Sequence, residues 1–285
     1  MEKEQNSKYY TEISGEDKNN SLKLKEVWNY RDLIWLFTKR SFVLKYKQTV
    51  LGPLWLFLNP IISSLIYCFI FGGIAKIGTD GVPQMLFYLS GNAIWTLFST
   101  SLTSNASTFT ANAGVFGKVY FPRLTTSISN ILSSILQFFI QMIIVMVFLA
   151  VYLVRGEVHP NWRYWIFVPA ILVVLGVLGM GVGIIISSLT TKYRDLHILV
   201  GFGVQLWMYI TPVIYPLSEI ENGKLRALLM VNPVTSLVEA FRYTILGQGE
   251  INFLAIAWSV LFTVVVTVCG IRIFNRVERT FMDTV

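Results

Sequence analysis

The sequence predicts an all-α, polytopic membrane protein with six transmembrane helices, an N-terminal amphipathic interface helix and short re-entrant helices at the outer face between spans five and six. Three observations carry this fold class. Hydrophobic residues make up 54% of the 285 and charged residues only 14%, where a soluble domain carries about a quarter. Six charge-free stretches reach the roughly 20 residues that a helix rising ~1.5 Å per residue needs to cross a hydrocarbon core about 30 Å thick. They are Gln48 to Ala75, Gly81 to Gly117, Leu124 to Val154, Tyr164 to Thr191, His197 to Ser218 and Ile251 to Ile271. The 23 Lys and Arg are also unevenly placed: with six spans and the N-terminus inside, 17 lie on the cytoplasmic side and 6 outside. The positive-inside rule then puts both termini in the cytoplasm. The net charge of +7 speaks to orientation in a membrane before it speaks to nucleic acid, and no nucleic-acid partner is expected.

Taken in order, residues 1–23 are polar with little to bury, and read as a disordered N-terminus. Residues 24–47 mix Trp28, Trp35, Phe37 and Leu44 with Arg31, Lys39, Arg40 and Lys45. That is the composition of an amphipathic cytoplasmic interface helix, with rings in the lipid and cations at the phosphates. A signal peptide fits poorly, because the charged leader is long and no small-residue cleavage site follows a short apolar core. The transmembrane domain covers 48–275, with spans at about 50–75, 84–104, 124–154, 164–190, 198–216 and 252–274, before a cytoplasmic tail at 276–285. Span two is closed near Ser104 because Ser99 to Asn112 is rich in Ser, Thr and Asn. Between spans five and six, the apolar piece Ala227 to Val238 has 12 residues, too few to cross. Proline cannot continue a helix ladder, so Asn232-Pro233 breaks this piece into a re-entrant hairpin or a pair of short helices.

The chemistry missing from the spans is informative. None of the six charge-free stretches contains Asp, Glu, Lys or Arg, which argues against proton-coupled transport, where intramembrane ionisable groups carry the coupling. It argues equally against an intramembrane hydrolase or acyltransferase. His159 and His197 have no convergent partner, and Cys68 and Cys269 sit in apolar runs with no CxxC spacing, so neither a metal site nor a disulfide framework is expected. Neither Gly117-Lys118 nor Gly223-Lys224 continues to Ser or Thr, so no phosphate-binding P-loop exists and any ATP and Mg²⁺ must be held by another chain. What the spans do offer is aromatic: Trp55, Tyr67, Trp95, Trp207, Tyr209 and Tyr215 are among the candidates. Two readings stand for them, lipid-facing belts and packing, or the lining of a conduit on which uncharged glycans slide. Gly179 and Gly183 have the small-xxx-small spacing that lets helices approach closely. Six helices are few for a wide conduit, and a homodimer would supply twelve.

Several segments together resemble the membrane-spanning subunit of ABC-2 type transporters, specifically the polysaccharide exporters that move lipid-linked O-antigen, capsule or teichoic acid. The carriers are Lys45 to Trp55 with Asn59-Pro60, Val115 to Arg123, Lys192 to Leu196, Thr211 to Pro216, and Asn232-Pro233 followed by Phe241-Arg242. The resemblance covers roughly Trp28 to the C-terminus, and the first 25 or so residues have no counterpart in it. It implies that Lys118, Val119, Tyr120, Phe121, Pro122 and Arg123 form a coupling helix docked on an ATPase subunit, the other reading being a charged loop that fixes topology. For Tyr193, Arg194 and Asp195 it leaves two readings, contact with the ATPase or a solvated turn. It implies that Gln48, Thr49, Leu51 and Gly52 guide lipid-linked substrate into the conduit. It also implies that Pro212, Pro216, Asn232, Pro233 and Arg242 belong to the outer gate, although late-span prolines are also simple kinks. The expected assembly is a homodimer with two copies of a separate nucleotide-binding subunit in a bacterial inner membrane, moving a polyprenyl-linked polysaccharide, with no catalytic site in this chain. An ABC-2 exporter of drugs or small lipids is the alternative. A glycan-modifying membrane enzyme and a membrane scaffold lie outside that class.

Overall fold

A computed structural model describes residues 24–47, 49–116, 118, 119, 121–190, 196–249 and 251–281. Every element among these residues is helical: α1 (Leu24–Asn29), α2 (Arg31–Tyr46), α3 (Trp55–Tyr67), α4 (Gln84–Ala106), α5 (Thr108–Phe116), α6 (Leu124–Val154), α7 (Val168–Thr190), α8 (Leu196–Ile210), α9 (Gly223–Val231), α10 (Pro233–Leu246) and α11 (Phe253–Phe281).

The core is organised around α4, which packs on α3, α6, α7, α8 and α10. Leu86, Ile94, Leu97 and Phe98 are completely or almost completely removed from the surface. Between them, Ser90, Ser101 and Asn105 are equally buried, and each donates to a backbone carbonyl, so the polar side chains are satisfied inside protein rather than left in lipid. The closest approach is to α7. A Cβ on Gly179 would lie 2.8 Å from the Phe98 carbonyl oxygen, and one on Gly183 would lie 2.6 Å from that of Leu102. The absent side chains let the backbones meet, and Ser101 Oγ reaches the Gly176 carbonyl at 2.7 Å across the same seam. The far side of α7 receives α11 in the same way, at Gly181 and Gly270.

Four helical stretches among the described residues are long and apolar enough to cross a bilayer: Gly52–Ile74, Leu124–Val154, Trp162–Thr190 and Phe253–Val277. Six were expected. Helix α4 has the length, about 34 Å at ~1.5 Å per residue, but its Ser, Thr and Asn lower its hydropathy, tolerable because the bundle surrounds it. Helix α8 stops at Ile210 rather than near 216, for Pro212 follows and Thr211 turns its hydroxyl back onto the Trp207 carbonyl. The first crossing stretch buries only Leu56, Pro60 and Ser64, a single stripe at a spacing of four, and continues through a π-helical turn at Cys68–Ile74.

The amphipathic segment is two helices, divided at Tyr30. Val27, Ile34, Phe37 and Thr38 are buried while Trp28, Trp35, Leu36 and Leu44 remain exposed. One stripe thus packs on α6 and a second apolar face is free for lipid. After α8, the helices α9 and α10 meet at Asn232, whose extended backbone ends one and whose side chain caps the other, with Pro233 at the first helical position.

Candidate functional site

Two junctions gather the polar and charged residues that the sequence singles out. The first joins the end of α8 to α10. Asn232 Oδ1 accepts from the Val234 amide and from Trp207 Nε1, both at 3.1 Å, while its Nδ2 donates to Thr211 Oγ1 at 2.9 Å. One side chain therefore caps α10 and ties it to the end of α8. Ten residues on, Arg242 is 2% exposed. Its two terminal nitrogens donate to the carbonyls of Pro212 and Val213, its guanidinium lies 3.8 Å from the centre of the Phe87 ring, and Glu239 Oε1 is 3.7 Å away. Burial lowers the Arg242 pKa to about 10, opposed by Glu239, Asp80 and Tyr88, so it stays charged at neutral pH. Its charge is met by a planar fork on two carbonyls, a carboxylate and a π-face. Gly91 completes the junction, for a Cβ there would lie 2.6 Å from the Val213 carbonyl oxygen and 2.7 Å from Arg242 Nη2.

Pro212, Asn232, Pro233 and Arg242 are thus brought into one structure, and Pro216 lies with Glu239 and Arg242 around a small cavity. The sequence offered Phe87 only as one of many interior aromatics and did not point to Gly91. The Glu239/Arg242 spacing of three on an otherwise apolar helix is the signal that could have found the ion pair.

The second junction lies between α5 and α6. Lys118 and Val119 are exposed, whereas Phe121, Pro122 and Arg123 are buried, and Tyr120 lies outside the described residues. Phe121 packs on Phe37 of α2 at 5.5 Å and on Phe116 at 5.7 Å. Arg123 sits over the rings of Phe116 and Phe109, 5.2 and 5.9 Å from their centres, and Phe109 stacks on Phe274 of α11 at 4.5 Å. Among the described residues of the expected coupling segment, Lys118 and Val119 are therefore on the surface, while Phe121 and Arg123 tie α2, α5, α6 and α11 together. Tyr193, Arg194 and Asp195 lie outside the described residues.

At the start of the first crossing stretch, Gln48 is outside the described residues, Thr49 and Leu51 are exposed, and Gly52 takes a left-handed φ of 50° that its lack of a side chain permits. The aromatic candidates divide. Tyr67 of α3 donates to Met208 Sδ of α8 at 3.9 Å, while Trp95 of α4 and Trp207 of α8 both pack on Phe98, at 5.4 and 5.1 Å. Trp55 and Tyr209 are on the surface, and Tyr215 Oη donates to the Tyr209 carbonyl at 3.1 Å. No group of three or more His, Cys, Asp or Glu able to hold a metal occurs among the described residues.

The ABC-2 type transporter family matches this chain over residues 32–246. Two O-antigen export system permease proteins RfbA of Klebsiella pneumoniae are each 30% identical to it over 264 residues, covering 92% of this chain and 99% of theirs. An O-antigen export system permease protein RfbA of Myxococcus xanthus is 28% identical over 222 residues, 77% of this chain and 82% of its own. With a crossing-length helical bundle on one side and a family match over most of the chain on the other, this is a multi-pass membrane protein belonging to the ABC-2 type transporter family.

Proposed function

We propose that this protein is the permease subunit of an ATP-driven exporter of lipid-linked polysaccharide, of the O-antigen, capsule or teichoic acid type. The observation that carries the reading is the similarity to O-antigen export permeases along nearly their whole length. In this proposal six helices cross a bacterial inner membrane with both termini in the cytoplasm, α4 and α8 completing the set of four strongly apolar stretches. Helices α9 and α10 form an outer gate without crossing, since 14 residues at ~1.5 Å each extend α10 only about 21 Å. Two copies of the chain face one another, and the surface rings Trp55 and Tyr209 line the conduit between them with Tyr67, Trp95, Trp207 and Tyr215 behind.

ATP and Mg²⁺ are held by two copies of a separate nucleotide-binding subunit, whose approach on ATP binding pushes Lys118 and Val119. The buried contact of Phe121 with Phe37 carries that push to α2, and thereby to the Gln48 to Gly52 turn where lipid-linked substrate enters. At the other end, movement of α8 acts on α10 through Asn232 and Arg242. The chain itself performs no covalent step.

Deleting the gene and asking on which side of the inner membrane lipid-linked glycan accumulates tests the proposal. Polymer trapped in the cytoplasm with loss from the surface is the expected result, and an unchanged surface glycan overturns it. A second reading, an exporter of drugs or small lipids, draws on an apolar cavity of about 330 Å³ between α4, α7 and α8. Dependence of stimulated ATPase on substrate size separates the two.

A further inference from the structure

A second cavity, of about 300 Å³, lies where α2 crosses α4, α5 and α6. Its wall is built mainly of hydroxyl and amide side chains, and among the described residues no acidic or basic side chain lines it. Four of the hydroxyls are already committed as donors. Ser107 donates to the carbonyls of Thr103 and Ser104, Thr126 to Arg123, Ser129 to Thr126 and Ser133 to Ser129. Of the side-chain amides, Asn130 donates to the Ser104 carbonyl and to Asn105 Oδ1, while Asn112 places one N–H on the Thr108 carbonyl and keeps a second. A carbonyl can only accept, so each of these hydroxyls has given its one proton to its own helix and has only lone pairs left to offer a ligand. The wall is therefore uncharged, with acceptors at these four hydroxyls and donors left on its amides, and Phe37 and Phe42 add ring surface to it.

That chemistry selects among ligands. A phosphate diester is an anion, and among the described residues no Lys or Arg side chain lines the cavity to pair with it. A cation finds acceptors but no carboxylate, and Lys39 and Arg40 sit on the same helix as Phe37 and Phe42. A neutral sugar ring matches on both counts, with O–H donors around its edge for the lone pairs and C–H faces for the rings. The volume is at the low end of the ~300–1,000 Å³ of small-molecule sites, enough for a sugar unit and too little for a chain.

We propose that this cavity binds one uncharged sugar unit of the lipid-linked glycan before the polymer enters the conduit. The chemical class of the ligand follows from the wall, whereas its place in an exported glycan rests on the export reading above. Phe37 makes the position useful, since it lines the cavity and also packs on Phe121 beside the exposed Lys118 and Val119, so an occupied cavity stiffens the path from the ATPase to α2.

The test uses the full chain in nanodiscs of phosphatidylethanolamine and phosphatidylglycerol, titrated with methyl α-mannoside, N-acetylglucosamine and rhamnose and followed by saturation-transfer NMR. At least one of these sugars should bind with a millimolar Kd. Ser133→Leu and Thr100→Leu, both at partly exposed wall positions, should each weaken it about tenfold by replacing acceptors with apolar bulk. Ser133→Thr keeps the hydroxyl and should leave it unchanged. Pyrophosphate and ethanolamine should not compete. Absence of binding by every sugar, unchanged binding in folded Leu variants, displacement by pyrophosphate (a phosphate site) or displacement by ethanolamine (a lipid head-group site) each overturns the proposal. In cells, loss of surface glycan on gene deletion but not with Ser133→Leu sinks the cavity and leaves the export reading standing. Surface glycan unchanged on deletion sinks the export reading, and sugar binding in nanodiscs then decides the cavity by itself.

Discussion

Arg242 is a charge that the bundle has closed over, and its stability rests on geometry rather than on charge alone. Two carbonyls from the turn after α8 accept from its fork, Phe87 covers its face and Glu239 stands one helical turn away. Replacing it with Met removes all of these at once and should cost about 3–5 kcal/mol, the range found when one partner of a buried charged set is deleted. Arg242→Lys keeps the charge but cannot fork, and should still lose about 1–3 kcal/mol. Thermal melting of the purified protein in one detergent checks both, and a lysine variant as stable as the parent would show that the fork is not what holds α10. Asn232→Ala is a milder loss, about 1 kcal/mol for the cap, with the Trp207 indole N–H left without its acceptor. The residue scale is also where sequence reading was least informative. A charged residue in a loop is usually solvated, so nothing around Arg123 signalled that it would be buried among Phe109 and Phe116. The carbonyls held by Arg242 were equally invisible, because every residue type carries one and these lie about thirty positions away in the chain.

At the scale of elements, glycines set which helices can touch. A side chain at Gly183 would meet the Leu102 carbonyl oxygen at 2.6 Å and the Ala106 amide at 3.1 Å, and backbone on a central helix has nowhere to move. Gly183→Val should therefore separate α7 from α4 and abolish recovery of monodisperse protein. Gly201→Ala on α8, where nothing lies within 4 Å, should leave size-exclusion profile and melting unchanged. The small-xxx-small spacing of Gly179 and Gly183 was legible in the sequence, but its partner was not. Helix α4 was marked as a span by the absence of charge. Its central position was hidden, because Ser, Thr and Asn on a helix read the same whether they face water, a cavity or another helix.

For the whole molecule, the proposed export cycle requires that a push at one membrane face reach the other. Lys118→Glu and Val119→Asp alter exposed positions and should leave melting unchanged while weakening co-purification with the ATPase subunit about tenfold or more, since truncating a few central contacts dominates interface energy. Normal co-purification of both variants would remove docking at this corner. Phe121→Ala should act differently, destabilising the α2/α5/α6 packing by about 3–5 kcal/mol as a large core ring is deleted. Arg123→Glu is unsuited to testing docking, because it places a carboxylate among buried rings and breaks the corner before any partner is met.

The sequence by itself determined that this is a helical membrane protein, roughly where its long apolar helices run, and that the segment before the last helix breaks at Asn232-Pro233. These are local properties, set by runs of hydropathy and by the missing amide of proline, and they survive without knowledge of any neighbour. Only the tertiary structure decided that α4 is enclosed, that Phe121 and Arg123 are buried while Lys118 and Val119 are not, and that Asn232 and Arg242 bind the turn after α8. The reason lies in the solvent. In lipid an apolar side chain gains nothing from choosing protein over acyl chain, so hydropathy cannot say which face of a helix is covered. That is settled by close packing at glycines and by where each buried polar group finds its partner.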